Sequence, residues 1–514
     1  MPFEIDMSIT KSNHSFKTKS SQIIFAVTIL FICFFQSNAQ TSKVEIKIIS
    51  FAPTPRVKVE GEITQERRRW SFRKSYAGVP KLAERIENLK LFSREGKALD
   101  VKKLSVSDYE TETSASKFSY EVKLEPPFDT SDSAFVSWLT NERGLLLPGD
   151  LLPLMFSEEK MFAPVSIKYV LPDSWKMATV EDEKGRYEYK VGQVSRAVFV
   201  AGKDIRSYKE SIKEMEFGFV AAGDWFFQDE NAKNLAVQIL NDHTSVYGGV
   251  PTNKSMLVFL PFPRQFGATR WSAETRGRTV VYLSGKMPSN LSALIQMSLP
   301  LAHELFHLWL PNGLALEGEY DWFYEGFTIY QSMHVGRRLN YLQFQDCLNS
   351  IARAYDAYKN DSLRDAFSLP MASKQRWAGA NNLIYNKGML TAFLYDLTLR
   401  QKSGNKLSIE NIFAALFRLH NKNMQSKDGN TAMIELLSNY KDMKEFVTNY
   451  VENPVTIDLA NALSLFGLVV SQENGQTKIS VDKKLSRSKR DLLKKLGYNE
   501  DLFRVGKRQN SFKL

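Results

Sequence analysis

The chain reads as a multidomain α+β protein: β-rich over residues 40–170, mixed over 171–340 and mainly helical over 341–470. Three observations predict this. Short stretches of alternating apolar and polar residues recur in the first part. An apolar stripe at helical spacing, carrying two histidines, lies near the centre. Apolar residues at helical spacing fill the third part. At 514 residues the chain is long enough for two or three substantial cores.

Residues 1–39 are expected to be an export signal. Lys17 and Lys19 precede the apolar run Ile23 to Phe35, and Ser37-Asn38-Ala39 is a small-residue exit that leaves Gln40 as the mature start. The run is short for a membrane span, so an uncleaved anchor is the weaker reading. Met7 offers an alternative start. Cys33 lies inside the run, which leaves Cys347 alone in the mature chain and excludes an intrachain disulfide. A bacterial periplasmic, cell-envelope or extracellular location fits both facts.

In residues 40–170, Val44-Glu45-Ile46-Lys47-Ile48-Ile49 and Phe118-Ser119-Tyr120-Glu121-Val122 alternate, and Pro126-Pro127 and Pro148-Gly149 mark turns. A β-sandwich is expected here. Strand-like residues continue from 171, followed by Met256-Leu257-Val258-Phe259-Leu260 and then two helices, which make 171–340 the expected catalytic part. Beyond it, Ile412, Leu416 and Leu419 recur at helical spacing, and 471–514 form a basic tail. No internal repeat stands out.

The chemistry concentrates in His303-Glu304-Leu305-Phe306-His307. On a helix, positions i and i+4 share a face, so both imidazoles can reach one metal ion. Glu304 sits beside them, near enough to act on a metal-bound water without ligating the metal. Leu301, Leu305 and Leu308 give the helix its apolar stripe, with Phe306 and Trp309 widening it. Pro300 is expected in its first turn, and Pro311-Asn312-Gly313 stop it. A catalytic zinc takes three protein ligands at about 2.0–2.2 Å and keeps a fourth position open. Glu325 is the candidate third ligand, on a second helix in which Phe323, Phe327 and Tyr330 face the core. Asp321 or Glu319 is expected to cap that helix. Glu317, Glu319 and Asp321 are rival carboxylates, better read as a solvated acidic loop. One zinc per chain is expected; cobalt or manganese could replace it in vitro.

These residues resemble the gluzincins, metallopeptidases with H-E-x-x-H and a distal glutamate, and within them the glycyl aminopeptidase family, relatives of the alanyl and leukotriene-hydrolase aminopeptidases. The resemblance is carried by His303 to Trp309, by Trp322-Phe323-Tyr324-Glu325-Gly326-Phe327-Thr328-Ile329-Tyr330, and by Ile384-Tyr385-Asn386-Lys387-Gly388. Leu394-Tyr395-Asp396-Leu397 through Ser403-Gly404, Asn411-Ile412-Phe413 and the stretch from Tyr450 to Leu468 also look like the family. The likeness is specific over about 295–400 and looser over about 45–470. It implies a thermolysin-like catalytic domain between the sandwich and the helices. It implies that Tyr385 donates to the developing oxyanion; without it, Tyr385 would read as a buried structural tyrosine. It also implies that Glu274, before the strand-like Thr279-Val280-Val281-Tyr282-Leu283, holds the substrate's amine. Here Trp271, Ser272 and Ala273 replace the expected glycines. With Arg270, Arg276 and Arg278 close by, Glu274 reads equally as a salt-bridged strand residue. The PDZ domain that many family members carry is not evident, and residues 465–514 are too short for one.

The formal net charge is +11. Residues 1–39 contribute +1 and the chain from Lys478 onward +8, so the part between is close to neutral at +2. The basicity therefore belongs to the tail and not to the catalytic part, and nothing in the aromatic spacing suggests nucleic acid. The tail reads as a solvated basic helix, with weak contact to an anionic surface as the alternative. The expected partner is a peptide or protein substrate; nothing in the sequence speaks to oligomeric state. Together these features predict an exported zinc metallopeptidase, an aminopeptidase before an endopeptidase. A binding protein of the same fold without turnover would need neither Glu304 nor Tyr385.

Overall fold

The computed structural model describes residues 41–157, 164–440 and 442–499. The expected export signal and residues 500–514 lie outside them. Among the described residues no helix is long and apolar enough to cross a membrane.

The N-terminal part is built from two sheets. In a nine-stranded sheet, Lys43–Ser50 pairs antiparallel with Arg56–Ser71, which pairs antiparallel with Asp108–Lys123. On its other side Lys43–Ser50 runs parallel to Val165–Val170, and Glu188–Val191 follows. A four-stranded sheet joins Lys176–Ala178, Phe199–Gly202, Arg143–Leu146 and Trp138–Leu139. A central five-stranded sheet comes next. Arg206–Ile212, Met215–Ala221, Lys254–Pro261 and Thr279–Ser284 lie side by side, and Trp271–Arg276 forms the edge, antiparallel to Thr279–Ser284.

Period-two alternation explains how these layers stack, because successive side chains leave a strand on opposite faces. In the four-stranded sheet, Leu146, Phe199 and Ala201 pack with Val44, Ile46, Val57 and Val59 of the large sheet. Their neighbours Leu145, Val198 and Val200 point the other way, onto Val258, Val281 and Leu283 of the central sheet. The far face of the central sheet, with Phe217, Phe219, Phe259 and Tyr282, packs on the helices through Leu301 and Leu305. A sheet buried on both faces reads as a continuous apolar run, as Met256 to Leu260 does.

Three expectations need correction. The boundary at 170/171 falls inside the first unit: Glu188–Val191 extends the large sheet, and Phe199–Gly202 belongs to the small one. The parallel pairing of Lys43–Lys47 with Ser166–Val170 has no local signature, so the sequence does not display it. The basic tail is not separate over its first part. Leu468–Glu473 and Gln476–Val481 form a hairpin on the Phe344–Lys359 helix, where Thr477 N–H donates to Asp356 (2.8 Å) and Gln345 to the Ile479 carbonyl (3.0 Å). The helix Arg487–Lys495 then buries Leu492 and Leu493 in the main core and leaves Arg487, Lys494 and Lys495 exposed. Finally, Pro300 lies inside its helix, not in the first turn. That helix runs Asn290–Phe306 and starts at a Ser289–Ser292 capping box. Pro300 has no N–H, so the Gln296 carbonyl loses its i+4 donor there.

Candidate metal centre and cleft

His303 and His307 lie on the last turn of the Asn290–Phe306 helix and at its cap. Glu325 sits at the junction of Asp321–Tyr324 and Gly326–Arg338, beneath an anchor of buried Trp322, Phe323, Phe327 and Tyr330. The expected side-chain cap is not made: Tyr320 occupies the N-cap position. Glu317 and Glu319 are exposed, as a solvated loop would have them, whereas Asp321 is buried and ion-paired to Arg376.

Three ligand-type atoms converge. His303 Nε2 and His307 Nε2 are 3.0 Å apart, and Glu325 Oε2 lies 3.3 Å from the first and 3.6 Å from the second. Ligands about 2.0–2.1 Å from a tetrahedral zinc stand about 3.4 Å from one another, and these separations bracket that value. His307 Nδ1 faces the Leu310 carbonyl at 2.7 Å. That carbonyl only accepts, so Nδ1 carries the proton and Nε2 presents a lone pair. Glu325 Oε2 is buried without a satisfied hydrogen bond. The His307 Nε2 lone pair and the orphaned Glu325 Oε2 are two acceptors turned toward one point, and a cation there would satisfy both. The residues therefore fit a zinc ion. Burial alone would raise the Glu325 carboxyl; interactions with His303 and His307, and the Arg376 charge, hold it well below the usual carboxylate range.

Glu304 points into the same cleft. Thr275 of the edge strand places its hydroxyl 2.8 Å from Glu304 Oε2 and 2.6 Å from the Glu304 carbonyl, donating to one at a time. The strand thus orients the carboxylate beside the two histidines. Tyr385, in the first turns of the Asn381–Ser403 helix, accepts a hydrogen bond from Arg376 at 3.0 Å. Burial, with the charge of Glu325, keeps its phenol protonated far above the usual range.

The cleft encloses about 620 Å³, and Glu274, His303, Glu304, His307, Glu325 and Tyr385 all line it. Glu274 is not free within it. Tyr76, from the N-terminal part, donates to its Oε1 at 2.5 Å, and Arg276 Nη2 lies 3.2 Å from its Oε2. The Tyr76 ring lies against the Arg276 guanidinium, 4.2 Å from its centroid. Burial raises the Glu274 carboxyl, with Arg276 and Tyr76 pulling the other way. Burial and the neighbouring carboxylate push the Tyr76 phenol up to about 12. Of the three arginines near Glu274, Arg276 is the one that pairs with it, while Arg278 pairs with Glu181 at 3.3 Å.

Arg376, Tyr76 and Thr275 are absent from the sequence-based site. Tyr76 is 198 positions from Glu274, and Arg376 stands in a short turn, Arg376–Ala378, without periodicity. No spacing marks it either, since Arg376 stands in its own turn ahead of the Asn381–Ser403 helix that carries Tyr385.

No protein-family model matches the chain, and no curated protein matches it. Solved structures do. An aminopeptidase N family protein from Idiomarina loihiensis superposes with a TM-score of 0.71 at 18% identity, covering 87% of this chain and 82% of that one. The chain has that protein's fold. An M1 zinc metallopeptidase from Deinococcus radiodurans aligns with a TM-score of 0.50 at 15% identity, over 82% of this chain and 95% of that one. The mixed, multidomain α+β architecture is common to all three.

Proposed function

We propose that this chain is a zinc-dependent metallopeptidase, and within that class an aminopeptidase. The observation that carries the reading is the convergence of His303 Nε2, His307 Nε2 and the orphaned Glu325 Oε2, with Glu304 and Tyr385 in the same cleft. The fold shared with an aminopeptidase N family protein and an M1 zinc metallopeptidase supports it.

His303, His307 and Glu325 would hold the ion. Zinc bound there would supply a Lewis acid and water of lowered pKa. Glu304, oriented by Thr275, takes a proton from the attacking water and passes it to the leaving amine. Tyr385 donates its O–H to the oxyanion that develops on the substrate carbonyl. Glu274 receives the substrate's terminal ammonium through the lone pairs that Tyr76 and Arg276 leave open.

A second reading, an endopeptidase, is favoured by one observation: Glu274 already has a counterion in Arg276. A peptide pool in which each member is present free and N-acetylated separates the two. Stepwise loss of single residues from free peptides only is the aminopeptidase outcome. Internal cleavage of both forms is the endopeptidase outcome. Stoichiometric zinc without cleavage of either would mark a binding protein of this fold. The proposal includes export to the periplasm or cell envelope, for which the mature protein should begin at Gln40 on N-terminal sequencing.

A further inference from the structure

We infer that Arg376 is a positioning residue that aims Glu325 at the metal and Tyr385 at the substrate. This rests on the zinc-peptidase reading above.

A guanidinium has five N–H donors, and the partners of Arg376 match that number. Nε donates to Asn381 Oδ1 at 3.2 Å. Nη1 donates to Asp321 Oδ1 at 2.5 Å and to Tyr324 Oη at 3.4 Å. Nη2 donates to Glu325 Oε1 at 3.1 Å and to Tyr385 Oη at 3.0 Å. The partners come from two segments: Asp321, Tyr324 and Glu325 from one, Asn381 and Tyr385 from the other. Arg376 ties their side chains together, with its guanidinium over the Trp377 ring, 4.9 Å from the centroid.

Three consequences follow from these bonds. A carboxylate held at Oε1 cannot rotate, so Glu325 keeps Oε2 toward the two histidines; outer partners of metal ligands act in this way. A phenol oxygen that accepts from a cation directs its own proton away from that cation. Tyr385 is thereby oriented within the cleft. Asp321 and Glu325 are both nearly buried, and Arg376 is the cation that pairs with them. Lysine could not replace it, since an ammonium is a point charge that does not span this fork of acceptors.

The test uses the full-length mature protein. Zinc affinity is measured by competition with a chromogenic chelator, and kcat and KM on one peptide at saturating zinc, for the parent, Arg376→Gln, Arg376→Lys, Tyr385→Phe and the Arg376→Gln/Tyr385→Phe double variant. Arg376→Gln should weaken zinc binding about 10–100-fold. At saturating zinc its kcat should still fall, with KM little changed. Tyr385→Phe should cost less in the Arg376→Gln background than in the parent, a coupling that a merely structural arginine would not show. Arg376→Lys, which keeps the charge, should melt near the parent yet recover neither parental affinity nor parental kcat; it carries the test if the glutamine variant does not fold. Parental zinc affinity and turnover in a folded Arg376 variant would overturn the inference alone. A parent that binds no zinc would overturn the zinc-peptidase reading, and this inference with it.

Discussion

Gly326 and Gly388 pack backbone against backbone. A Cβ on Gly326 would stand 2.5 Å from the Gly388 Cα, and a Cβ on Gly388 would stand 2.7 Å from the Trp322 carbonyl oxygen. Both contacts are shorter than side chains tolerate, so the helices Gly326–Arg338 and Asn381–Ser403 approach this closely only with glycine at both positions. Glu325 immediately precedes the first glycine, and Tyr385 lies about one turn before the second. The contact therefore sets the distance between the candidate third ligand and the candidate oxyanion donor.

Gly388→Ala should separate the two helices. Overpacking of this kind costs about 1–3 kcal/mol. The melting temperature should drop, and kcat should fall more than the stability loss explains, because Tyr385 moves with its helix. A variant that melts lower but retains parental kcat would show that the crossing serves stability only.

Glu304→Gln keeps the shape of the side chain and removes the proton acceptor. Turnover should fall about 10²–10⁴-fold, while zinc content by elemental analysis stays at one per chain. Turnover near the parental rate would sink the assigned role of Glu304.

Glu274→Gln removes the negative charge while leaving Tyr76 and Arg276 in place. For an aminopeptidase, the preference for free over N-acetylated peptides should collapse through loss of the free-peptide rate. If the preference survives, Glu274 is the salt-bridged strand residue of the alternative reading, and Arg276 its structural partner.

Two buried histidines predict how stability depends on pH. Burial lowers His243 to about 4 and His334 to about 3, against an ordinary value of about 6.5. The unfolded chain therefore binds more protons than the folded one below about pH 6.5. Stability is full above that value and is lost as pH falls, down to about 4 for His243 and about 3 for His334, with a limiting slope of about 1.4 kcal/mol per pH unit for each. His243 donates through Nε2 to the Ala302 carbonyl at 2.9 Å, and His243→Gln can keep a donor without titrating. That variant should be less stable at pH 8 but show a shallower acid decline in urea midpoints from pH 8 to 4. Parallel curves for the two proteins would refute the assignment.

The parts of the site that were legible are those with local geometry. His303 and His307 share a helix face by spacing alone, and Glu325 stands out as a carboxylate in an aromatic run. Tyr385 and Glu274 needed the family resemblance, because a tyrosine or glutamate near a strand or helix start has no signature of its own. Arg376 is one of 68 lysines and arginines, distinguished only by what folding brings to its five donors. Tyr76 reaches Glu274 across the sandwich and the central sheet, a relation no window of sequence contains. The same reason governs the misplaced boundary near 170. Strands up to Gly202 look like their successors along the chain, and only their partners tell which sheet they join.

The four-stranded sheet has two dry faces, one turned to the large sheet and one to the central sheet. Each Val, Leu or Phe on such a face is worth about 1.5–3 kcal/mol while covered. Among the described residues an apolar layer therefore joins the N-terminal part to the central sheet, flanked by polar clefts at Arg196 and Arg278 and at Tyr76 and Glu274. Cutting away the N-terminal part would strip Val258, Val281 and Leu283 to water, and Tyr76 would leave with the fragment. The N-terminal part is therefore both a support for the central sheet and a wall of the cleft, not a detachable module.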